Sequence, residues 1–387
     1  MKSKSLKTFM SKKKCTLLGV GPMSVNCVDA SIELSNDFDI PLMLIASRRQ
    51  IDSEEFNGGY VNNWTTHEFA NYVRSRDLKN NIILARDHGG PWQNTIEIEK
   101  NLNDKDAMKS AKVSLSHDID AGFDMLHLDP SIDIQNDSKP EVILSRLFEL
   151  YAFCNEYSLT QNVQMIYEIG TEEQNGSTNT PEELEFTLEQ IKSFCKKNNF
   201  IMPSFVVIQS GTKVMEMKNI GSFEAPLRVE GEIAVEIQVP KMIEICNKYS
   251  IYMKAHNADY LSNESLRWHP KLGIHSINVA PEFGVVETNT LFNILKLHGY
   301  EDILEKIVSL SYNSKKWEKW MLNNTKATDF EKAMISGHYI FSNQEFKDYI
   351  SFVKKDLFKK NISLNEKLKS SVKSSILRYI SNLGMIN

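Results

Sequence analysis

Eight short apolar runs, most of them followed by a helical pattern, constrain the fold more than any other feature of this chain. They are TLLGVG (Thr16–Gly21), PLMLIA (Pro41–Ala46), NIILAR, FDMLHLD (Phe123–Asp129), NVQMIYEIG, SFVVIQSG, IYMKAH and IHSINVA. Polar alternation is sparse in them, as in parallel strands covered on both faces. Between them lie stretches such as SVNCVDASIELS, DKDAMKSAKVSLSHDIDA and TPEELEFTLEQIKSFCKK, the last with Thr180 as cap and Pro181 as first helical residue. Strand starts are mostly about 40 residues apart, the spacing of successive βα units. An open doubly wound sheet gives the same alternation, but eight consecutive units favour closure into a TIM (β/α)8 barrel. Neither GxGxxG nor GxxxxGK[ST] occurs, so a nucleotide cofactor has no support. The expected fold is therefore α/β, with a barrel catalytic domain over 1–300. Beyond it, 301–387 is Lys- and Asn-rich and helical by pattern, an extension expected to pack on the barrel, build part of its rim or contact another chain.

Composition removes several function classes. The 387 residues carry 45 basic against 50 acidic side chains, a net charge of -5, with no concentrated basic patch of the kind a nucleic acid needs. No run of about 18 apolar residues exists to span a membrane. The opening MKSKSLKTFMSKKKC has no apolar core of signal-peptide length and reads as a solvated basic helix or arm. Five scattered cysteines, Cys15, Cys27, Cys154, Cys195 and Cys246, form no CxxC pair and read as reduced core thiols of a cytoplasmic protein.

The polar residues cluster where the apolar runs end. The third run ends in Arg86, Asp87 and His88, then Gly89 and Gly90; the fourth in His127 and Asp129; the fifth in Glu168. The sixth ends in Gln209, Ser210 and Gly211, the seventh in His256, Asn257 and Asp259, and the eighth carries Asn278. In a barrel these ends converge on one face, where active sites sit. His88, Glu168 and His256 would meet there, and two imidazoles with a carboxylate suit a divalent ion. Zinc is the first expectation, with manganese, cobalt or magnesium as alternatives. Gln209 is a fourth weak ligand or a substrate hydrogen-bond partner. His127 alternates with Leu126 and Leu128, so one set faces the barrel interior and the other the helices; it is not included in the site.

Six pieces, FNGGY, DHGGP, HLDPS, YEIGTEE, VVIQSG and KAHNADY, occur in an order and spacing that resemble the tagatose-bisphosphate aldolase accessory-subunit family, over roughly residues 15–300. That family includes ketose 6-phosphate C4 epimerases and is related to class II metal-dependent aldolases. The resemblance implies a metal ligand at His88, an acid/base at Asp87, a late-strand ligand at His256 and a carboxylate at Glu168. A further histidine on strand six of catalytic class II aldolases has no match here, where IQSG stands.

The resemblance implies a phosphorylated ketose as substrate. Ser210, the backbone at Gly211, and Lys213 are candidates for its phosphate, and Asn257 and Asn278 for other substrate contacts. Asp129 and Asp259 are candidates for holding hydroxyls or as a second acid/base. The chemistry expected first is C4 epimerisation by retro-aldol cleavage and re-addition. The alternatives are a class II-type ketose (bis)phosphate aldolase and a non-catalytic stabilising subunit of one. A homo-oligomer and a class II aldolase catalytic partner are the protein contacts left open; nucleic acid and membrane are not expected.

Overall fold

The computed structural model describes residues 2–135, 139–170, 180–224 and 234–386, with backbone alone for 2–5. Among these, ten strands form: β1 (Leu17–Val20), β2 (Leu42–Ser47), β3 (Ile82–Asp87), β4 (Met125–Leu128), β5 (Ile166–Ile169), β6 (Phe205–Val207), β7 (Val214–Met215), β8 (Lys218–Asn219), β9 (Tyr252–Ala255) and β10 (Ser276–Val279). Eight are parallel and close into a barrel in the order β1-β10-β9-β6-β5-β4-β3-β2. β7 and β8 pair antiparallel outside it. All eight expected strands are present, with ends moved by a residue or a few. The extra hairpin has no counterpart in the sequence pattern, because two-residue strands carry no period. Thr180 caps the helix Pro181–Asn198 through a capping box with Glu183. The basic start forms a helix, Lys2–Lys12, that buries Leu6. All five cysteines are buried and free.

Strand parity decides what reaches the mouth. Successive side chains point alternately into the barrel and out to the helices. On β3, Arg86 turns out and Asp87 turns in. The guanidinium of Arg86 donates to both oxygens of Asp118 at 2.5 and 2.7 Å, and to the carbonyls of Ala46 and Ile51 at 2.9 and 2.7 Å. Asp118 belongs to the helix Asp104–Asp120, so one buried guanidinium ties that helix and the end of β2 to β3. The apolar run thus ends on a charged pair because Arg86 locks the wall while Asp87 serves the mouth. The β4–β5 register sets His127 level with Glu168.

The last 87 residues fold as helices, chief among them Glu301–Asn313, Asp329–Ser336, Gln344–Lys359 and Leu364–Asn382. The last lays Val372, Ile376 and Ile380 into the barrel core, each burial contributing about 1.5–3 kcal/mol. Lys369 and Lys373 pair there with Glu33 at 2.6 and 3.0 Å, and the Thr16 N–H donates to the carbonyl of Leu383 at 3.0 Å. A second core joins Leu291 and Phe292 to Ile307, Ile340, Val353 and Leu357. Apolar packing therefore crosses residue 300 in both cores. No described helix is long and apolar enough to cross a membrane.

Removing Arg86 strands a buried carboxylate. Arg86→Leu is expected to cost about 3–5 kcal/mol, read as a lower denaturation midpoint, and Arg86→Leu with Asp118→Leu to recover part of it. An unchanged midpoint in the single variant would contradict this role.

Candidate metal centre

The loop after β3 is shaped by close contact with β4. His88 has φ +49, a left-handed conformation costly for any residue but glycine. It is held there because its N–H donates to Nδ1 of His127 at 3.2 Å and the next N–H, of Gly89, donates to the His127 carbonyl at 2.8 Å. A Cβ on Gly89 would lie 2.7 Å from that carbonyl oxygen, and one on Gly90 would overlap the carbonyl oxygen of Asp129. Only glycines permit the approach. Buried Arg48 fastens the loop from the other side, donating to the Gly90 carbonyl at 3.0 Å while pairing with Glu97 at 2.6 Å and Asp52 at 3.1 Å.

Three imidazoles meet above these contacts. The rings of His88, His127 and His256 lie 5.2 Å apart pairwise, centre to centre. One ligand-capable atom from each, and one from Asp87, all fall within 4.8 Å of one another. His88 Nδ1 lies 2.5 Å from Asp129 Oδ2, which fixes the ring and leaves Nε2 turned toward Asp87, 3.7 Å away. A carboxylate behind a ligating histidine is the usual way to set its tautomer and basicity. Asp129 also accepts from Gln93 at 3.2 Å and from the Ser131 N–H at 3.1 Å. Asn278 Nδ2 donates to Asp87 Oδ1 at 3.2 Å and lies 3.1 Å from His256 Nε2. Two buried polar atoms here have no hydrogen-bond partner among the described residues, His127 Nε2 and Asn278 Oδ1. The first is aimed at Gly170, where a Cβ would come within 2.5 Å. Three imidazoles, a carboxylate and orphaned polar atoms fit a divalent ion and an oxygen-rich ligand, and the donor set does not select zinc over its neighbours.

The charges follow from this crowding. Burial pushes Asp87 up, but the charges of His88, His256 and His127 outweigh it and hold the carboxylate far below its usual range. Burial likewise opposes the charge on His88, yet Asp87 and Asp129 raise its imidazole to about 9. Burial outweighs the pull of Asp87 and Glu168 on His256 and keeps it below its ordinary value. Glu168 falls to about 2, because the charge of Lys254 overcomes burial.

The structure brings most of the expected residues to this mouth, in unexpected roles. Glu168 is 1% exposed and spends its oxygens on Lys254 Nζ, at 2.6 Å, and His256 Nε2, at 3.2 Å. The third imidazole comes instead from His127 on β4, the residue left out of the sequence reading. Its signal was present: Asp129 was expected at the mouth, and period two puts His127 on the same face. Lys254 also escaped notice, as a lone lysine inside an apolar run. Asp259 accepts the N–H groups of Ala280 and Glu282 at 3.0 and 2.9 Å and so anchors the helix Pro281–Leu297. Burial and the nearby Glu282 raise it to about 7. Asn257, Asp259 and Asn278 line the mouth cavity with the histidines; its volume is about 870 Å³. Gln209, Ser210, Gly211 and Lys213 are not among the described residues lining it. Their loop turns away, with the Thr212 hydroxyl donating to the His256 carbonyl at 2.6 Å and the Phe223 N–H to the Gly211 carbonyl at 2.9 Å. Glu172 and Glu173 of YEIGTEE lie outside the described residues.

Residues 5–215, more than half of the chain, match a family model described as D-tagatose-1,6-bisphosphate aldolase subunit GatZ/KbaZ-like. The chain belongs to this family. Its fold recurs in solved structures of low identity. A Sinorhizobium meliloti 1021 protein described as a probable tagatose 6 phosphate kinase superposes with a TM-score of 0.73 at 15% identity, covering 95% of this chain and 100% of that one. Fructuronate-tagaturonate epimerase from Cohnella laeviribosi gives 0.61 at 11%, covering 96% and 82%. Fructose-bisphosphate aldolase from Campylobacter jejuni gives 0.56 at 12%, covering 100% and 94%. The barrel and its helical extension are thus shared as one architecture.

Removing one imidazole should empty the centre. The wild-type chain is expected to retain one divalent ion, His88→Ala to retain none, and Asp129→Asn to bind about 10–100-fold more weakly. Elemental analysis and metal titration of the folded variants decide it; equal metal content in His88→Ala would refute the assignment.

Proposed function

We propose that this chain carries out class II-type aldol cleavage of a ketose phosphate at the His88, His127 and His256 centre. The observation that carries the reading is an ionised, buried Asp87 beside three converging imidazoles in a cavity of about 870 Å³. Gathering such groups in the interior is costly unless they are bonded or ligate an ion. A divalent ion bound there supplies positive charge that polarises a substrate carbonyl and offsets the negative charge left by breaking the C3–C4 bond. Asp87 takes the proton of the C4 hydroxyl as that bond breaks, its Oδ1 steadied by Asn278. Asp129 keeps the His88 ring in place. Lys254 neutralises Glu168, so that the carboxylate neighbouring His256 adds no unbalanced charge.

The fate of the fragments separates two activities. Release of both is aldolase chemistry, the reading that the family description, an aldolase subunit, supports. Rotation and re-addition of the aldehyde gives the C4 epimer. The observation favouring that second outcome is the aromatic wall of the cavity, where Trp320 and Tyr339 of the extension line the same space as the histidines and would hinder escape of a fragment. Direct deprotonation cannot epimerise C4, because that hydrogen is not adjacent to the C2 carbonyl. The family description, an aldolase subunit, makes a class II aldolase chain the partner to test.

NMR of the metal-loaded chain incubated with ketose 6-phosphates and 1,6-bisphosphates distinguishes the cases. Triose products mean aldolase; a new ketose without triose means epimerase. Turnover that appears only on adding a class II aldolase means a supporting subunit and defeats the proposal. Asp87→Asn is expected to lower turnover by about 10²–10⁴-fold in a folded protein.

A further inference from the structure

Four cations stand at the rim of the mouth cavity without an acidic partner. Arg49 comes from the loop after β2; Lys315, Lys316 and Lys319 come from the extension, after the helix Glu301–Asn313. None forms an ion pair with a described residue. The acids that line the same cavity are otherwise engaged: Asp129 with His88, Asp87 with Asn278, and Asp259 with backbone N–H groups. Among the described residues lining the cavity, Glu318 is the one acid from the same segment as the three lysines.

The arrangement is held in place. Lys319 Nζ lies over the ring of Trp320 at 4.5 Å and near that of Tyr339 at 5.6 Å. Trp320 Nε1 donates to the Tyr339 hydroxyl at 3.3 Å, and Tyr339 packs on Tyr60 at 4.8 Å. The Trp320 carbonyl accepts from the Glu216 N–H at 2.6 Å, tying the aromatic wall to the turn between β7 and β8. Arg49 and Lys316 lie close enough to Lys319 for the charges to act on one another. Like charges converging on a cavity repel unless an anion lies between them, and they concentrate anions there.

Building on the proposed aldol chemistry, we propose that Arg49, Lys315, Lys316 and Lys319 form the subsite for the anionic end of the substrate, opposite the imidazole cluster. The expected Ser210–Lys213 loop is not needed for this purpose. Arg49 offers a planar fork suited to phosphate or carboxylate, and the lysines offer point charges. The shared chemistry is a ketose carrying a terminal oxyanion, either a 6-phosphate or a hexuronate. The cavity thus reads its substrate at two ends, with carbonyl and hydroxyls at the histidines and the anion at the rim cations.

Calorimetric titration of the folded, metal-loaded protein with fructose 6-phosphate, fructuronate and fructose tests this. At least one anionic ketose should bind about tenfold or more tighter than fructose, with affinity falling as salt rises. Lys316→Gln with Lys319→Gln should remove that advantage, leaving metal content and fructose binding unchanged. Arg49→Gln, made separately, should weaken the same ligand. A preference for the phosphate or for the uronate identifies the source of the anion. Fructose binding as tightly as both anions, no binding of either, or full affinity in the variants would overturn the subsite. Tight, salt-sensitive anion binding without turnover would instead defeat the aldol reading and leave the subsite standing.

Discussion

The short contact between His88 Nδ1 and Asp129 Oδ2 joins the end of β3 to the end of β4, and the mouth of the barrel is arranged around it. It can form only because the backbone after β3 lies directly on that of β4, an approach that Gly89 and Gly90 allow and side chains would forbid. That approach sets His88 in a left-handed conformation, which points its other nitrogen toward Asp87 and the remaining imidazoles. Strain at one residue is thereby exchanged for a preorganised group of donors, a common arrangement at functional sites.

Charge balance then extends inward. Asp87 is held ionised by histidines and an amide and Glu168 by Lys254, while Arg48 pairs with both Asp52 and Glu97. Each pair sits where solvent cannot screen it, so loss of one member leaves the other costly. The outer shell, Arg86 with Asp118 and Arg48 with Glu97, carries no chemistry itself. It keeps the β2 and β3 loops at the height where Asp87 and His88 can meet His127 and His256.

The helical extension is part of this design rather than an appendage. Its last helix packs on the helix Val25–Phe38 and completes the barrel core, while Trp320, Tyr339 and the rim lysines from its earlier segments line the cavity. A barrel alone would leave the mouth open to water. With the extension in place, the cavity gains an aromatic wall and positive charge from residues beyond the barrel.

Local sequence determined the strands, their parallel character, the Thr180 cap and the set of polar residues at the strand ends, because each rests on a short period or a neighbouring residue. It placed Asp87, His88, His256 and Asn278 at strand ends that share one mouth, since every βα unit delivers its strand end to the same face. Parity within β4 also contained His127, although two flanking leucines obscured it. Tertiary structure alone decided the partners. Whether Glu168 faces an ion or a lysine depends on β9 lying close enough for Lys254 to reach it. Whether Ser210–Lys213 opens to the cavity depends on the turn that follows and folds back on it. Arg49 and Lys319 become neighbours only when the extension crosses the barrel mouth. These are contacts between residues far apart in the chain, and no local period encodes them; closure of the barrel and packing of the last helix bring them together.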